Sequence, residues 1–292
     1  MLGRVPVAHS RGMGTPTESF QIPLEAAEVY ESRFVPAIFA EWAPRLVDLA
    51  GVGRGQSVLD VACGTGIVAR TAALRVGRGG EVTGVDLNEA MLTVARRVTS
   101  PASAEGDDVA EISWRQGDVA ELPFADAGFD AVLCQMALMF FPDQVRALAE
   151  MGRVARPGGR VAVCVPASLD DQPAYRLLVD VASRHAGPEA LALLGTYWSC
   201  GDVATLTGWC AAAGLDVVDT VTQTGTARFA SSDDMVATEV EGSPLIERIT
   251  DEVYAGIRSD AREALAPFVT PAGTLEAPLV CHLVVATPTA AP

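Results

Sequence analysis

The sequence contains no lysine. All 21 basic residues are arginines, and 37 acids outnumber them, so the formal net charge is −16. Without a block of positive charge, the chain lacks the electrostatic footprint of a nucleic-acid binder or a protein that docks on an anionic membrane. Its expected partners are small neutral or cationic molecules. The sequence also lacks any C-x-x-C pair. Six cysteines stand apart at 63, 134, 164, 200, 210 and 281, and the three histidines do not cluster with them. That excludes the common zinc frameworks, predicts no metal and fits reduced thiols in a cytoplasmic protein. No run of about 18 apolar residues suggests a membrane span. Residues 1–20 carry Arg4 and Arg11 but no apolar run of signal-peptide length, which predicts a loosely held tail.

What is present is a chain of 292 residues, 49% hydrophobic, enough for one large domain with insertions or two small ones. Apolar positions at Leu24, Ala27, Phe34, Ile38, Leu46 and Leu49 follow a helical stripe, so 21–50 reads as a helical arm despite Pro36 and Pro44. From 57 a strand–helix alternation begins. Strands are expected at 57–62, 81–86, 111–115, 129–135 and 160–166, with helices at 66–76, 88–98 and 143–155 between them. Short loops in this rhythm predict an open, doubly wound parallel α/β sheet. After Pro166 the rhythm breaks. Helices are expected at 173–186, 188–195, 202–213 and through most of 232–265, and strands at 215–224 and 278–287. The chain therefore divides into the tail (1–20), the arm (21–50), a first half of the sheet (51–166) and a remainder (167–292). Segments 167–200 and 225–275 read as lids.

Residues 62–69 read ACGTGIVA, a G-x-G-x-x-A turn with Gly64, Gly66 and Ala69 at its fingerprint positions. Glycine belongs where a strand turns at once into a helix while its backbone approaches a ligand. The spacing alone also suits a dinucleotide. Its surroundings point elsewhere. Asp60 closes the strand just before the turn, where a carboxylate would repel a pyrophosphate and attract an ammonium. Asp86 ends the next strand, where an acid can take both ribose hydroxyls. In "GDVAELPF" (117–124), Asp118 is placed to accept from an exocyclic adenine amine, with Val119 on the ring. No second phosphate-binding element appears. A ligand with an amino acid, a ribose and an adenine, but no phosphate, is S-adenosylmethionine.

At these residues the sequence resembles the class I S-adenosylmethionine-dependent methyltransferases. "VLDVACGTG", "VTGVDLNEAML", "GDVAELPFADAGFDAVLCQMALMFFPD" and "RVARPGGRVAV" match their motifs in order over 57–165. Within the class the chain is similar to the ubiquinone/menaquinone-biosynthesis type of small-molecule methyltransferase, whose arm resembles 27–50. The resemblance implies a Rossmann-like, mostly parallel seven-stranded sheet with helical lids and an antiparallel last strand. It implies that Asp60, Ala62, Gly64 and Gly66 hold the methionine part, that Asp86 binds the ribose, and that Leu87 and Met91 lie beside the adenine. Gly117, Asp118 and Val119 then frame that ring, Gln135 lies near the sulfonium, and Tyr30 and Phe34 close the arm over the cofactor.

Simpler readings stand beside these. Asp60 could cap a helix, Asp118 could be a turn residue, and Met91 could be core. Cys63 reads as a small side chain in a tight loop rather than a nucleophile. Met136 and Phe140, after the fourth strand, and Tyr197 and Trp198 in "GTYWSC" are expected either to line an acceptor pocket or to pack in the core. His185 is the one candidate general base, with an intrinsic pKa near neutrality, set against a plain surface histidine. The expected reaction is methyl transfer to a small-molecule acceptor, a step of biosynthesis or specialised metabolism, driven mainly by proximity and orientation. The alternative keeps the cofactor and uses it for cyclisation, decarboxylation or hydroxylation.

Overall fold

The computed structural model describes residues 22–99 and 108–289. The tail expected at 1–20, and all of the 101–108 loop except Asp108, lie outside them. Seven strands form one sheet: β1 (Ser57–Val61), β2 (Glu81–Asp86), β3 (Ile112–Gln116), β4 (Phe129–Gln135), β5 (Ala155–Pro166), β6 (Leu215–Phe229) and β7 (Leu275–Pro288). Their order is β3-β2-β1-β4-β5-β7-β6. Strands β1 to β5 pair in parallel, and β7 runs antiparallel between β5 and β6. This is the Rossmann-like, doubly wound sheet. The order reverses between β1 and β4, so the connections leaving their carboxyl ends part to opposite sides. The crevice that opens there is where such sheets bind ligands.

Strands buried on both faces read as short apolar runs, and β1 is an example. Val58 faces one core, together with Trp42, Leu46 and Ala69. Leu59 and Val61 face the other, with Leu148, Met151 and Leu206. Helices on the two faces supply these partners and leave the carboxyl edge free for the site.

The arm is not one helix. It divides into α1 (Leu24–Val29), a π-helical stretch (Tyr30–Phe39) and α2 (Trp42–Leu49). Pro36 supplies no N–H, so the ordinary ladder fails there, and Ala40 N–H instead reaches Val35 O, five residues back, at 2.8 Å. The middle of the sheet and its helices α3 (Ile67–Val76), α4 (Glu89–Val98) and α5 (Gln144–Val154) lie within a residue or so of the expected bounds.

The second half differs more. β5 begins at Ala155, because Ala155 already pairs with Phe129 and the Pro157–Gly159 turn is looped out between two paired stretches. α6 (Pro173–Ala186), α7 (Pro188–Leu194) and α8 (Val203–Ala212) stand as expected. β6 runs on to Phe229 and β7 starts at Leu275, so both ends of the expected 225–275 lid belong to the sheet. The alternation there is short: buried Ala227 and Phe229 flank exposed Arg228, and buried Leu275 and Ala277 flank exposed Glu276. The expected 232–265 helix is α9 (Ser232–Val236), a second π-helical turn (Ala237–Glu241), a short 3-10 turn (Pro244–Arg248) and α10 (Asp251–Ala264). Gly242 and Pro244 break it. Among the described residues, no helix is long and apolar enough to cross a membrane.

Candidate active site

A cavity of about 1260 Å³ lies over the carboxyl ends of β1, β2 and β4. Pockets for a single small ligand run to roughly 300–1,000 Å³, so this space has room for a cofactor and an acceptor together. Its floor is the glycine turn. The backbone there is left-handed at Ala62 (φ 53°), Gly64 (53°) and Gly66 (86°). A Cβ on Gly66 would stand 2.2 Å from the Trp114 ring, which reaches across from β3, so only glycine fits. Ala62 and Met136 (φ 51°) are non-glycine residues in the same strained region, and both line the cavity. Strain of this kind concentrates at functional sites.

Asp86 ties the turn to the next strand. Gly64 N–H donates to its Oδ2 at 2.8 Å and Asn88 N–H to its Oδ1 at 2.8 Å. Two oxygens offer about four lone-pair sites, so accepting capacity remains toward the cavity. Burial pushes the carboxyl up, and the N–H groups of Asn88, Gly64 and Leu87 hold it down. The Asn88 side chain caps α4 through Ala90 and Met91 N–H, fixing Met91 on the wall. Asp118 turns the next loop by accepting Ala120 N–H at 2.8 Å. It lines the cavity beside Gly117 and Val119, so the turn reading and the binding reading are compatible.

The arm forms the roof. Tyr30 stacks on Phe34 and Phe39 at centroid distances of 5.8 and 5.1 Å. Its hydroxyl lies 3.4 Å from the point where a Cβ on Gly64 would project. The Phe34 ring in turn lies against Gly242, 2.4 Å from that residue's Cβ point, which joins the arm to the π-helical turn of the lid. Ion pairs Glu31–Arg70 (2.8 Å) and Glu28–Arg97 clamp the arm onto α3 and α4.

Of the expected cofactor residues, Tyr30, Phe34, Ala62, Gly64, Asp86, Leu87, Met91, Gly117, Asp118, Val119 and Gln135 all reach this one cavity. Asp60 and Gly66 do not. Asp60 is 1% exposed, and its Oδ2 accepts Ala69 N–H at 2.9 Å from behind the turn. It therefore caps the first turn of α3, the simpler of its two readings. Burial, first of all, raises its carboxyl to about 8. Cys63 is buried beside it, with its thiol pushed up by burial.

Met136, Phe140 and Tyr197 line the same cavity, where Phe140 and Tyr197 meet edge-to-face at 5.5 Å. Trp198 turns away and packs on Tyr175. His185 also stays outside. It sits near the end of α6, with Nε2 2.8 Å from Asp260 Oδ2 on α10, so the expected base belongs to a helix–helix contact. The Gln135 amide donates to Phe39 O at 3.0 Å, and its Oε1 is buried without a partner. Lid residues Thr238, Glu241 and Tyr254 and the arm's Arg33 also reach the cavity. Sequence reading missed all four.

The fit to S-adenosylmethionine rests on these features together: a close backbone approach at Gly64, a carboxylate at Asp86, a second at Asp118 and an aromatic roof. Residues 59–163 match the methyltransferase domain family. The chain carries a class I S-adenosylmethionine-dependent methyltransferase domain. A demethylmenaquinone methyltransferase from Staphylococcus aureus is 41% identical over 135 residues, which are 46% of this chain and 53% of that protein. The chain thus spans about half the length of the curated relatives it matches. Two solved structures share the fold. The YcgJ protein of Bacillus subtilis (18% identity, TM-score 0.56) matches over 85% of this chain and 98% of its own. A phosphoethanolamine N-methyltransferase of Haemonchus contortus, solved with phosphomonomethylethanolamine and S-adenosylhomocysteine, matches over 91% of this chain and 57% of its own (17% identity, TM-score 0.55).

Proposed function

We propose that the protein transfers a methyl group from S-adenosylmethionine to a small, largely apolar acceptor bearing a flat ring. One observation carries this reading: a single cavity joins the polar groups at the carboxyl ends of β1 and β2 to an apolar wall of Met136, Phe140 and Tyr197. The cofactor, when bound, supplies an electrophilic methyl on a good leaving group. The chain's own residues then have three tasks. Asp86, Asp118 and the Gly64 backbone would fix the cofactor's polar groups. The aromatic roof and the lid would exclude water. The apolar wall would hold the acceptor atom in line, an orientation effect worth several kcal/mol (about 7–11 in well-aligned systems).

Gln135 is a polar residue of this wall suited to orienting the acceptor, its amide held in place by the bond to Phe39 O. Among the described residues, no histidine lines the cavity, which favours catalysis by positioning. The name of the Staphylococcus aureus relative supports a quinone-like ring as the acceptor class. Six unpaired buried cysteines support a cytoplasmic setting.

Mass spectrometry tests the chemistry. Incubating the protein with S-adenosylmethionine and a panel of hydroquinones and phenols should give a product heavier by one methylene, with one S-adenosylhomocysteine formed per product. Turnover of an acceptor without that mass gain would replace methyl transfer with the non-methylating alternative.

A further inference from the structure

Methyl transfer to a ring hydroxyl leaves one task open. Positioning brings the oxygen to the methyl, but the hydroxyl proton still has to leave. Among the described residues no histidine lines the cavity, so a carboxylate is the base to look for. Five acids reach the cavity: Asp86, Asp118, Glu121, Asp143 and Glu241. Asp86 already accepts two backbone N–H groups. Asp118 and Glu121 are bridged to each other on the turn assigned to the adenine. Asp143 caps α5 by accepting Arg146 N–H at 2.9 Å.

Glu241 is different. It ends the π-helical turn of the lid, and such turns recur at functional sites. The Tyr254 hydroxyl donates to its Oε1 at 2.6 Å, and Tyr254, on α10, lines the cavity too. That length is typical of a hydroxyl bonded to a carboxylate. Burial, and then this bond, push the Tyr254 hydroxyl up, so Tyr254 keeps its proton and stays the donor. A carboxylate held by one oxygen has the other left to accept. Among the described residues Glu241 forms no ion pair. Arg258, one helical turn beyond Tyr254 and also on the cavity, binds Asp233 Oδ2 at 2.9 Å instead. Gly242, next in the chain, lies against the Phe34 ring, which holds this end of the lid to the arm. A base aligned by another side chain, both on one cavity, is the arrangement that proton transfer requires.

We propose that Glu241 is the general base for a ring hydroxyl of the acceptor, with Tyr254 as its positioning residue. The proposal rests on the reading of the protein as a methyltransferase acting on a small ring acceptor. The acceptor's O–H bond breaks and its proton goes to the free carboxylate oxygen of Glu241. The electron pair left on the acceptor oxygen forms the new bond to the methyl carbon. The methyl–sulfur bond breaks, and its pair stays on sulfur as S-adenosylhomocysteine leaves. Glu241 is exposed as well as cavity-lining, so the proton passes on to water.

The test is steady-state kinetics of the full chain on a series of substituted phenols of rising acidity, ending in nitrophenols that are already ionised in the assay and need no base. Glu241→Gln keeps the shape of the side chain and an acceptor for Tyr254. It should lower kcat for the least acidic phenols roughly a hundredfold, the low end of general-base effects. Acceptor KM and the affinity for S-adenosylhomocysteine should stay within about twofold of wild type. The loss should shrink along the series to less than about threefold for the ionised acceptors. Tyr254→Phe should show the same trend with a loss of roughly tenfold, and Glu241→Asp, which keeps a carboxylate, should recover part of the rate. Equal losses along the whole series would overturn the proposal and make Glu241 a structural residue of the lid. No loss anywhere would overturn it and mean that the proton leaves unaided. Wild type that binds S-adenosylhomocysteine but methylates no phenol would overturn the acceptor reading beneath it, and the proposal with it.

Discussion

The Tyr30 hydroxyl lies 3.4 Å from the point where a Cβ on Gly64 would stand, and Gly64 N–H is bonded to Asp86 Oδ2 at 2.8 Å. One backbone position thus touches the roof, the floor and the Asp86 carboxylate. Gly64→Ala would place a methyl against Tyr30 and force a left-handed alanine, at a cost of about 1–2 kcal/mol. S-adenosylhomocysteine affinity should fall more than tenfold while the circular dichroism stays native. Calorimetry showing wild-type affinity would mean that the arm does not close on the turn.

Ala62 occupies a conformation that glycine adopts without strain, with φ at 53°. Ala62→Gly relieves that strain and loses about 0.4–1 kcal/mol through the freer unfolded chain. The balance predicts a gain of up to about 1 kcal/mol. Urea denaturation should show a higher midpoint at unchanged slope. A lower midpoint would mean that the Ala62 methyl contributes packing that outweighs the strain.

The central motifs were legible because local chemistry fixes them. A strand that turns into a helix within a few residues requires glycine, and acids at strand ends require ligands or caps. That placed Asp86, Gly64 and Asp118 on one cavity from sequence alone. Asp60 was harder. A carboxylate before the turn can face the ligand or the helix behind it, and only the path of α3 decides, by bringing Ala69 N–H to 2.9 Å. The lid residues Thr238, Glu241 and Tyr254 were not legible, because two irregular breaks, at Pro36 and at Gly242, set which faces of the arm and the lid turn inward. Trp114 left no signal either. Its constraint on Gly66 acts across two strands.

Asp60 and Glu239 are both buried carboxyls raised to about 8, chiefly by desolvation. In the unfolded chain they ionise near 3.8 and 4.5. Between those values and 8 the folded state binds more protons than the unfolded state, so stability falls as pH rises through this window. Asp60→Asn keeps an acceptor for Ala69 N–H and removes one titration. Compared by urea midpoints at pH 5 and pH 8, the variant should lose less stability than wild type. An equal loss in both proteins would show that Asp60 does not titrate in this window.

His185 pairs with Asp260 outside the cavity. His185→Gln should change turnover of an identified acceptor less than about twofold. It should cost no more than about 1 kcal/mol of stability, as a partly exposed pair would. A hundredfold loss of turnover at unchanged acceptor KM would restore this residue to the chemistry.

The most direct test of the account is the affinity of wild type and Asp86→Ala for S-adenosylhomocysteine, with NADH as a control ligand. The account predicts one S-adenosylhomocysteine per chain and no NADH. It also predicts that the variant binds at least tenfold more weakly, as expected for loss of a charged acceptor worth about 1.5–3 kcal/mol. NADH binding without S-adenosylhomocysteine binding would contradict it.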